Sequence, residues 1–271
     1  MRKINFRLSV WLAAVIAVST LIPKNSDATI VEFQTVMGTF EVNLYDNATP
    51  ATVANFLSYV NNLAYTNSIY HRSVPGFIVQ GGGFTGNLGL PVDPITANAP
   101  VVNEPELSNV RGTIAMAKLS GDANSATNQW YFNLSDNSAN LDGQNGGFTV
   151  FGEVIGNGMD IIDAIAGLPT YNFGGATAEL PLRNYTASDF TNNVTVDGTH
   201  LVTISAIVVT DPAVDTAAGL NPIPNTIINQ PPAPPPAPGG GGGGGSLGIL
   251  ALLGLLLINR FGQITEYRRK V

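Results

Sequence analysis

Between residues 29 and 44 apolar and polar residues alternate with a period of two. Val31, Phe33 and Thr35 alternate with Glu32 and Gln34, then Phe40, Val42 and Leu44 with Glu41 and Asn43. Alternation sends successive side chains to opposite faces, so the stretch predicts two half-buried strands joined at Met37 and Gly38. The period then changes. In TPATVANFLSYV, Val53, Phe56, Leu57 and Val60 recur at helical spacing, with Thr49 as N-cap and Pro50 at the first helical position, where a missing N–H costs nothing. The runs GFIVQGG, GTIAMAKL, NQWYFNL, FTVFGEVI and HLVTISAIVVT predict further strands. GMDIIDAIAGL predicts a second helix with Ile161, Ile162, Ile165 and Leu168 toward the core. Many short strands, glycine-rich turns and two helices predict a mostly β fold: a closed antiparallel barrel capped by helices.

Both ends depart from this pattern. Residues 1–28 read as a secretory signal peptide. Arg2, Lys3 and Arg7 precede the apolar LSVWLAAVIAVSTLI, and SDA at 26–28 offers small residues for cleavage after Ala28. An uncleaved anchor is the alternative. Residues 29–215 are about one domain in size. Residues 216–246 form a linker, with PPAPPPAP as a stiff polyproline spacer and glycines at 239–245. Residues 247–271 carry the apolar run LGILALLGLLLI, then Arg260, Arg268, Arg269 and Lys270. That run has twelve residues, short of the roughly 20 of a comfortable span. Linker, short apolar segment and basic tail in this order resemble a bacterial GlyGly-CTERM sorting signal. The resemblance implies processing by a rhomboid-type protease; a simple C-terminal anchor is the alternative.

Composition narrows the chemistry. The 271 residues include no cysteine, which excludes disulfides, thiolate metal sites and a cysteine nucleophile. Only His71 and His200 are available, which argues against a zinc site. Between residues 29 and 230 there are 17 acidic and 4 basic residues, so a phosphate backbone is a poor partner. The glycines at 81–83 are followed by no Lys-Ser/Thr and are not a phosphate loop, and no G-x-S-x-G elbow accompanies the histidines. Nothing points beyond a monomer.

One of those four cations, Arg72, stands among Val74, Phe77, Ile78 and Val79, with Gln80 close behind. From composition alone, a surface ion pair with an acid such as Asp122 or Asp142 would explain it. Four segments in order change that reading: YHRSVPGFIVQGG, GTIAMAKL, SATNQWYFNL and LDGQNGGFTVFGEVIGNGMDIIDAI. Together they resemble the cyclophilin-type peptidyl-prolyl cis-trans isomerases over nearly all of the middle domain.

The resemblance implies an eight-stranded antiparallel β-barrel closed by two α-helices. It implies a peptidylprolyl isomerase acting on proline-containing polypeptides, with no cofactor and no metal. It places Arg72 at the catalytic position and has Phe77, Ile78, Tyr131, Leu141 and Phe148 line the proline pocket. Gln80 and Gln129 would hold the substrate backbone and orient Arg72. The main chain at Ala117 and Lys118 would bind the residue before proline. Tyr131 stands where a phenylalanine is usual, Lys118 where an asparagine is, Phe148 near the place of a histidine, and Asn140 at the place of a tryptophan. Residues 168–199 form an insertion with no assigned role. The leader implies signal peptidase as a further partner, and a location in the periplasm or at the cell surface, membrane-anchored through the C-terminal segment before processing. Two other readings stay open: a binding module that grips one proline-containing loop without turnover, and regulation by the chain's own prolines at 231–238.

Overall fold

The computed structural model describes residues 29–86, 89–212 and 220–228. The leader, most of the proline- and glycine-rich linker and the C-terminal apolar run lie outside the described residues.

The alternating start forms β1 (Ile30–Thr35) and β2 (Gly38–Leu44), paired antiparallel from Ile30 opposite Asn43 to Thr35 opposite Gly38. Helix α1 (Pro50–Asn61) follows. Its expected N-cap differs: the Thr49 hydroxyl donates to the Tyr45 carbonyl instead. The orphan N–H groups of Ala51 and Thr52 go to the Glu104 carboxylate, at 3.1 and 2.9 Å. A charge at the positive end of a helix does the work of the missing cap.

Four short strands come next: β3 (Ser68–Ile69), β4 (Arg72–Val74), β5 (Ile78–Gly81) and β6 (Phe84–Thr85). They are followed by β7 (Asp93–Pro94), β8 (Thr113–Met116), β9 (Trp130–Asn133) and the single turn α2 (Ser138–Leu141). The chain continues through β10 (Val150–Ile155), α3 (Gly158–Ala166), β11 (Thr170–Tyr171), β12 (Leu180–Pro181), α4 (Ala187–Thr191) and β13 (Thr203–Asp211).

The main sheet runs β4-β5-β9-β8-β10-β2-β1-β13-β3, with β6 and β7 beyond β3. Only Tyr70 and His71 separate β3 from β4. The Tyr70 N–H donates to the Val202 carbonyl on one side and the His71 N–H to the Gln80 carbonyl on the other. The sheet therefore meets itself through one continuous stretch, as the expected antiparallel barrel requires. Its interior holds Phe33, Phe40, Phe56, Trp130, Phe132 and Phe151, all buried. Phe33 stacks on Phe40 at 5.0 Å and meets the Trp130 edge at 5.2 Å. Offset and edge-on contacts of this kind are the favoured arrangements for aromatic rings. Val53, Phe56 and Val60 of α1, and Ile162 and Ile165 of α3, close the core.

Residues 168–199 build a small appendage. β11 pairs with β12, and Thr186 and Asp189 form a reciprocal capping box at α4. Leu180, Leu182, Tyr185 and Val196 pack with Ile69 and Leu201 as a separate apolar cluster. The appendage joins the barrel at β4, where the Ser73 N–H donates to the Glu179 carbonyl at 2.8 Å.

Residues 220–228, expected to begin the linker, lie against the barrel. Pro224 bridges to Leu107, and the Asn225 N–H donates to the Glu106 carbonyl at 2.8 Å. The Asn225 amide donates to the carbonyls of Pro105 and Asp142, both at 2.9 Å, and its oxygen accepts from the N–H groups of Ile227 and Ile228. The side chain is buried, so losing it leaves several polar groups unpaired. Asn225→Ala is expected to lower stability by about 2 kcal/mol in urea unfolding. No change in midpoint would show that this segment is not anchored.

Candidate active site

Strand alternation sorts the site residues. On β5, β8 and β9, Val79, Ile114, Met116, Trp130 and Phe132 point into the barrel. Ile78, Ala115 and Tyr131, one residue off in each strand, face outward. There they join Phe77, Ala117, Leu141, Phe148 and Val150 in a second apolar cluster. Arg72 is opposite Gln80 across β4 and β5, and Gln80 is opposite Tyr131 across β5 and β9. Directly opposed residues share a face. Arg72, Gln80 and Tyr131 therefore form a row along the outer wall, which explains how two polar residues interrupt an apolar strand. Gln129 shares that face, and its side-chain oxygen accepts from the Gln80 amide at 2.9 Å. The Ala117 N–H donates to the Gln129 carbonyl at 2.9 Å, and a depression of about 220 Å³ beside it is lined by Ala117, Lys118, Thr127 and Gln129.

The Arg72 side chain is 9% exposed. Its Nε–H donates to Glu179 Oε2 at 2.7 Å, while its two Nη groups make no hydrogen bond among the described residues. Neither Asp122 nor Asp142 is its partner. Gln80 and Gln129 bond to each other, and no hydrogen bond joins either of them to Arg72. The acid bonded to the guanidinium lies 107 positions away, in the appendage. No spacing rule in the sequence pairs the two.

His71 points the other way. It is buried, and its ring meets the Phe84 edge at 5.0 Å. Burial first, and the neighbouring Arg72 charge second, push its pKa down to about 3. It is neutral in the folded protein at neutral pH and is no proton carrier there. Because the folded pKa is depressed, its contribution is fully present above the unfolded value near 6.5 and is lost as pH falls toward 3. The slope is about 1.4 kcal/mol per pH unit in that window. His71→Gln is expected to flatten the acid limb of the stability curve relative to the parent. Parallel limbs in urea titrations from pH 7 to 4 would contradict this.

The departures from the family pattern have structural partners. The Tyr131 hydroxyl donates to Asn109 Oδ1 at 2.9 Å. Its ring, edge-on to Phe148 at 6.1 Å, keeps its place in the apolar cluster. Asn109 is itself held by Asp142, which accepts from its N–H at 2.7 Å and its Nδ2 at 3.0 Å. Lys118 Nζ donates to the carbonyls of Asn145 and Gly147 and lies 4.9 Å from the centre of the Phe148 ring. Burial pulls its pKa down to about 8. Its side chain braces the loop that carries Phe148. The loop needs left-handed backbone at Asn145, Gly146 and Gly147, with φ of 52°, 74° and 73°.

All ten residues expected at the site thus lie on or border one outer face: an apolar hollow, two hydrogen-bonded glutamines and a guanidinium with its Nη edge open. No group of three or more His, Asp or Glu side chains gathers around a metal-sized space among the described residues. Such a wall can grip a ring and offer a fixed donor beside it.

Comparison with known proteins agrees. Residues 30–187 match the family described as cyclophilin type peptidyl-prolyl cis-trans isomerase/CLD. A peptidyl-prolyl cis-trans isomerase of Acinetobacter baylyi is 44% identical over 149 residues, covering 54% of this chain and 76% of the relative. Peptidyl-prolyl cis-trans isomerase A of Dickeya dadantii is 40% identical over 171 residues, covering 60% and 87%. Isomerase B of Escherichia coli is 38% identical over 151 residues, covering 54% and 88%. With more than half of its length matched and the barrel and outer wall in place, the chain belongs to the cyclophilin-type peptidyl-prolyl cis-trans isomerases.

Proposed function

We propose that this isomerase works outside the cytoplasm on X-Pro bonds of exported polypeptides, and that Arg72 stabilises the twisted amide. Amide resonance sets a barrier of roughly 18–20 kcal/mol, and uncatalysed exchange takes tens of seconds or longer. Twisting the bond removes that resonance. The proline nitrogen becomes pyramidal and gains a lone pair, so a donor placed there binds the transition state better than either isomer. No proton needs to leave and no covalent bond breaks.

The observation that carries this reading is the open Nη edge of Arg72 beside the cluster of Phe77, Ile78, Tyr131, Leu141 and Phe148. The ring of proline fits an apolar hollow. The guanidinium is permanently charged, and low exposure limits the screening of its field. Gln80 and Gln129 offer further amide groups to the substrate main chain. The test is cis/trans exchange of a short X-Pro peptide, followed by two-dimensional NMR exchange, with the full chain added at catalytic amounts. Unchanged exchange in the presence of folded protein would overturn the catalytic assignment and favour a proline-binding module.

Export rests on the leader and on the first residue after it. The Thr29 backbone N lies 2.8 Å from Asp46 Oδ2. Cleavage after Ala28 by signal peptidase would set the new ammonium beside that carboxylate. The C-terminal segment would then hold the protein at the membrane until a rhomboid-type protease acts. Intact mass of the protein recovered from the periplasm checks both: a mature chain beginning at Thr29 is expected. Recovery of the whole chain from the cytosol would oppose export.

A further inference from the structure

We infer that Glu179, in the appendage of residues 168–199, is a positioning residue for the isomerase reaction. It holds the Nε edge of Arg72 so that the Nη fork is presented to the substrate amide. The inference rests on the catalytic reading of Arg72 and adds to it the residue that fixes the guanidinium and the role of the insertion.

Three observations carry it. Glu179 attaches twice to the strand bearing Arg72. Its carboxylate accepts from Arg72 Nε–H at 2.7 Å, and its carbonyl accepts from the Ser73 N–H at 2.8 Å. The second bond fixes the Glu179 main chain beside β4 independently of the arginine side chain. Next to it, Leu180 and Leu182 are both fully buried, at 0% exposure, and Leu182 bridges to Leu201 near β13. The appendage core thus fixes the Glu179 main chain to the barrel. Finally, among the described residues the guanidinium is engaged on Nε alone, so its remaining N–H groups stay available.

The chemistry favours this division. An arginine side chain is long, and holding it in one rotamer costs conformational entropy. A charge-assisted bond to Nε fixes the plane of the fork without using its outer edge. A buried cation without a counter-charge is also costly, and the carboxylate offsets that cost. Glu179 is 28% exposed at its side chain against 9% for Arg72, so the carboxylate keeps contact with water while most of the arginine is buried. The insertion thus completes the site from outside the barrel.

The experiment uses the full chain and two variants, Glu179→Ala and Glu179→Gln. Three quantities are read: kcat and KM for an X-Pro peptide, and the ¹⁵N–¹H resonance of Arg72 Nε, assigned by its loss in Arg72→Ala. Glu179→Ala is expected to lower kcat about tenfold with KM within twofold, and to shift or broaden the Nε–H signal. Glu179→Gln keeps an acceptor oxygen, and should recover at least half of kcat and retain the signal. Should Glu179→Ala misfold, the Gln variant and the parent signal still decide. A parent Nε–H that exchanges with water as fast as a free arginine overturns the proposal. So does an Ala variant with kcat within twofold of the parent, or a Gln variant as impaired as Ala while its Nε–H signal is intact. A parent that fails to accelerate exchange at all overturns the catalytic reading itself, which separates that failure from the others.

Discussion

Arg72→Ala lowers kcat/KM for an X-Pro peptide by about 10²-fold or more, which is about 3 kcal/mol of transition-state stabilisation. The size follows from where the charge sits. The side chain is 9% exposed and lies beside an apolar wall, so its hydrogen bond to a developing lone pair is screened little by water. The lone pair exists only in the twisted state, so the loss falls on kcat more than on peptide affinity. Arg72→Lys separates charge from shape. A lysine keeps the charge but offers no planar fork to share between Glu179 and the substrate, and a loss of at least tenfold is expected. Peptide binding measured by titration should change by less than a few fold in both variants. If binding and kcat fall together, Arg72 holds the ground state and the assignment as transition-state donor is wrong.

Asp142→Ala should be the most damaging change behind the site. This carboxylate is 1% exposed and accepts from the hydroxyl of Ser108 and from both the main-chain and side-chain N–H groups of Asn109. Asn109 in turn receives the Tyr131 hydroxyl and donates to the Phe148 carbonyl at 3.1 Å. Removing the Asp142 carboxylate takes the acceptor from three donor groups on the adjacent residues Ser108 and Asn109 at once. Hydrogen bonds to a charged group contribute roughly 1.5–3 kcal/mol, and an unpaired buried donor adds its own desolvation. A total near 3 kcal/mol is expected, or a fall in Tm of about 6–12 °C for a domain of this size. Asp142→Asn keeps one acceptor and should cost roughly half as much. Thermal and urea unfolding check this, and a loss below about 0.5 kcal/mol would show that the network is dispensable. The network also holds Tyr131 and Phe148 in the outer apolar hollow, so kcat/KM per folded molecule should drop severalfold in Asp142→Ala.

Both predictions concern residues that the sequence displays differently. Arg72 stands out as a cation within an apolar run, and the family resemblance assigns it a role. Asp142 is part of a matched segment, yet its nearest sequence-level reading is a surface partner for Arg72. The structure instead puts it beneath the site, and gives the arginine to Glu179. The N-cap at Thr49 went the same way: the right residue type stands at the right position, and a distant carboxylate performs the capping. In each case the local chemistry was legible and the partner was not. A hydrogen bond between residues 107 apart depends on how the chain closes, and alternation within a strand carries no information about that.

What the sequence determined by itself is periodic. Alternation set which side of β1 and β2 is apolar, whereas in β5 and β9, where apolar residues run consecutively, the family resemblance put Ile78, Gln80 and Tyr131 on the groove and the structure showed Val79, Trp130 and Phe132 inside. Helical spacing set α1 and α3 as caps, and four ordered segments set the family. The tertiary structure alone decided which acids meet which cations, that residues 220–228 lie on the barrel, and that the Lys118 side chain braces the loop at 145–147. The physical reason is range. Side-chain direction is fixed by the two or three bonds around each residue, whereas ion pairs and buried polar networks are fixed only when the barrel closes and brings separate segments within about 3 Å of each other.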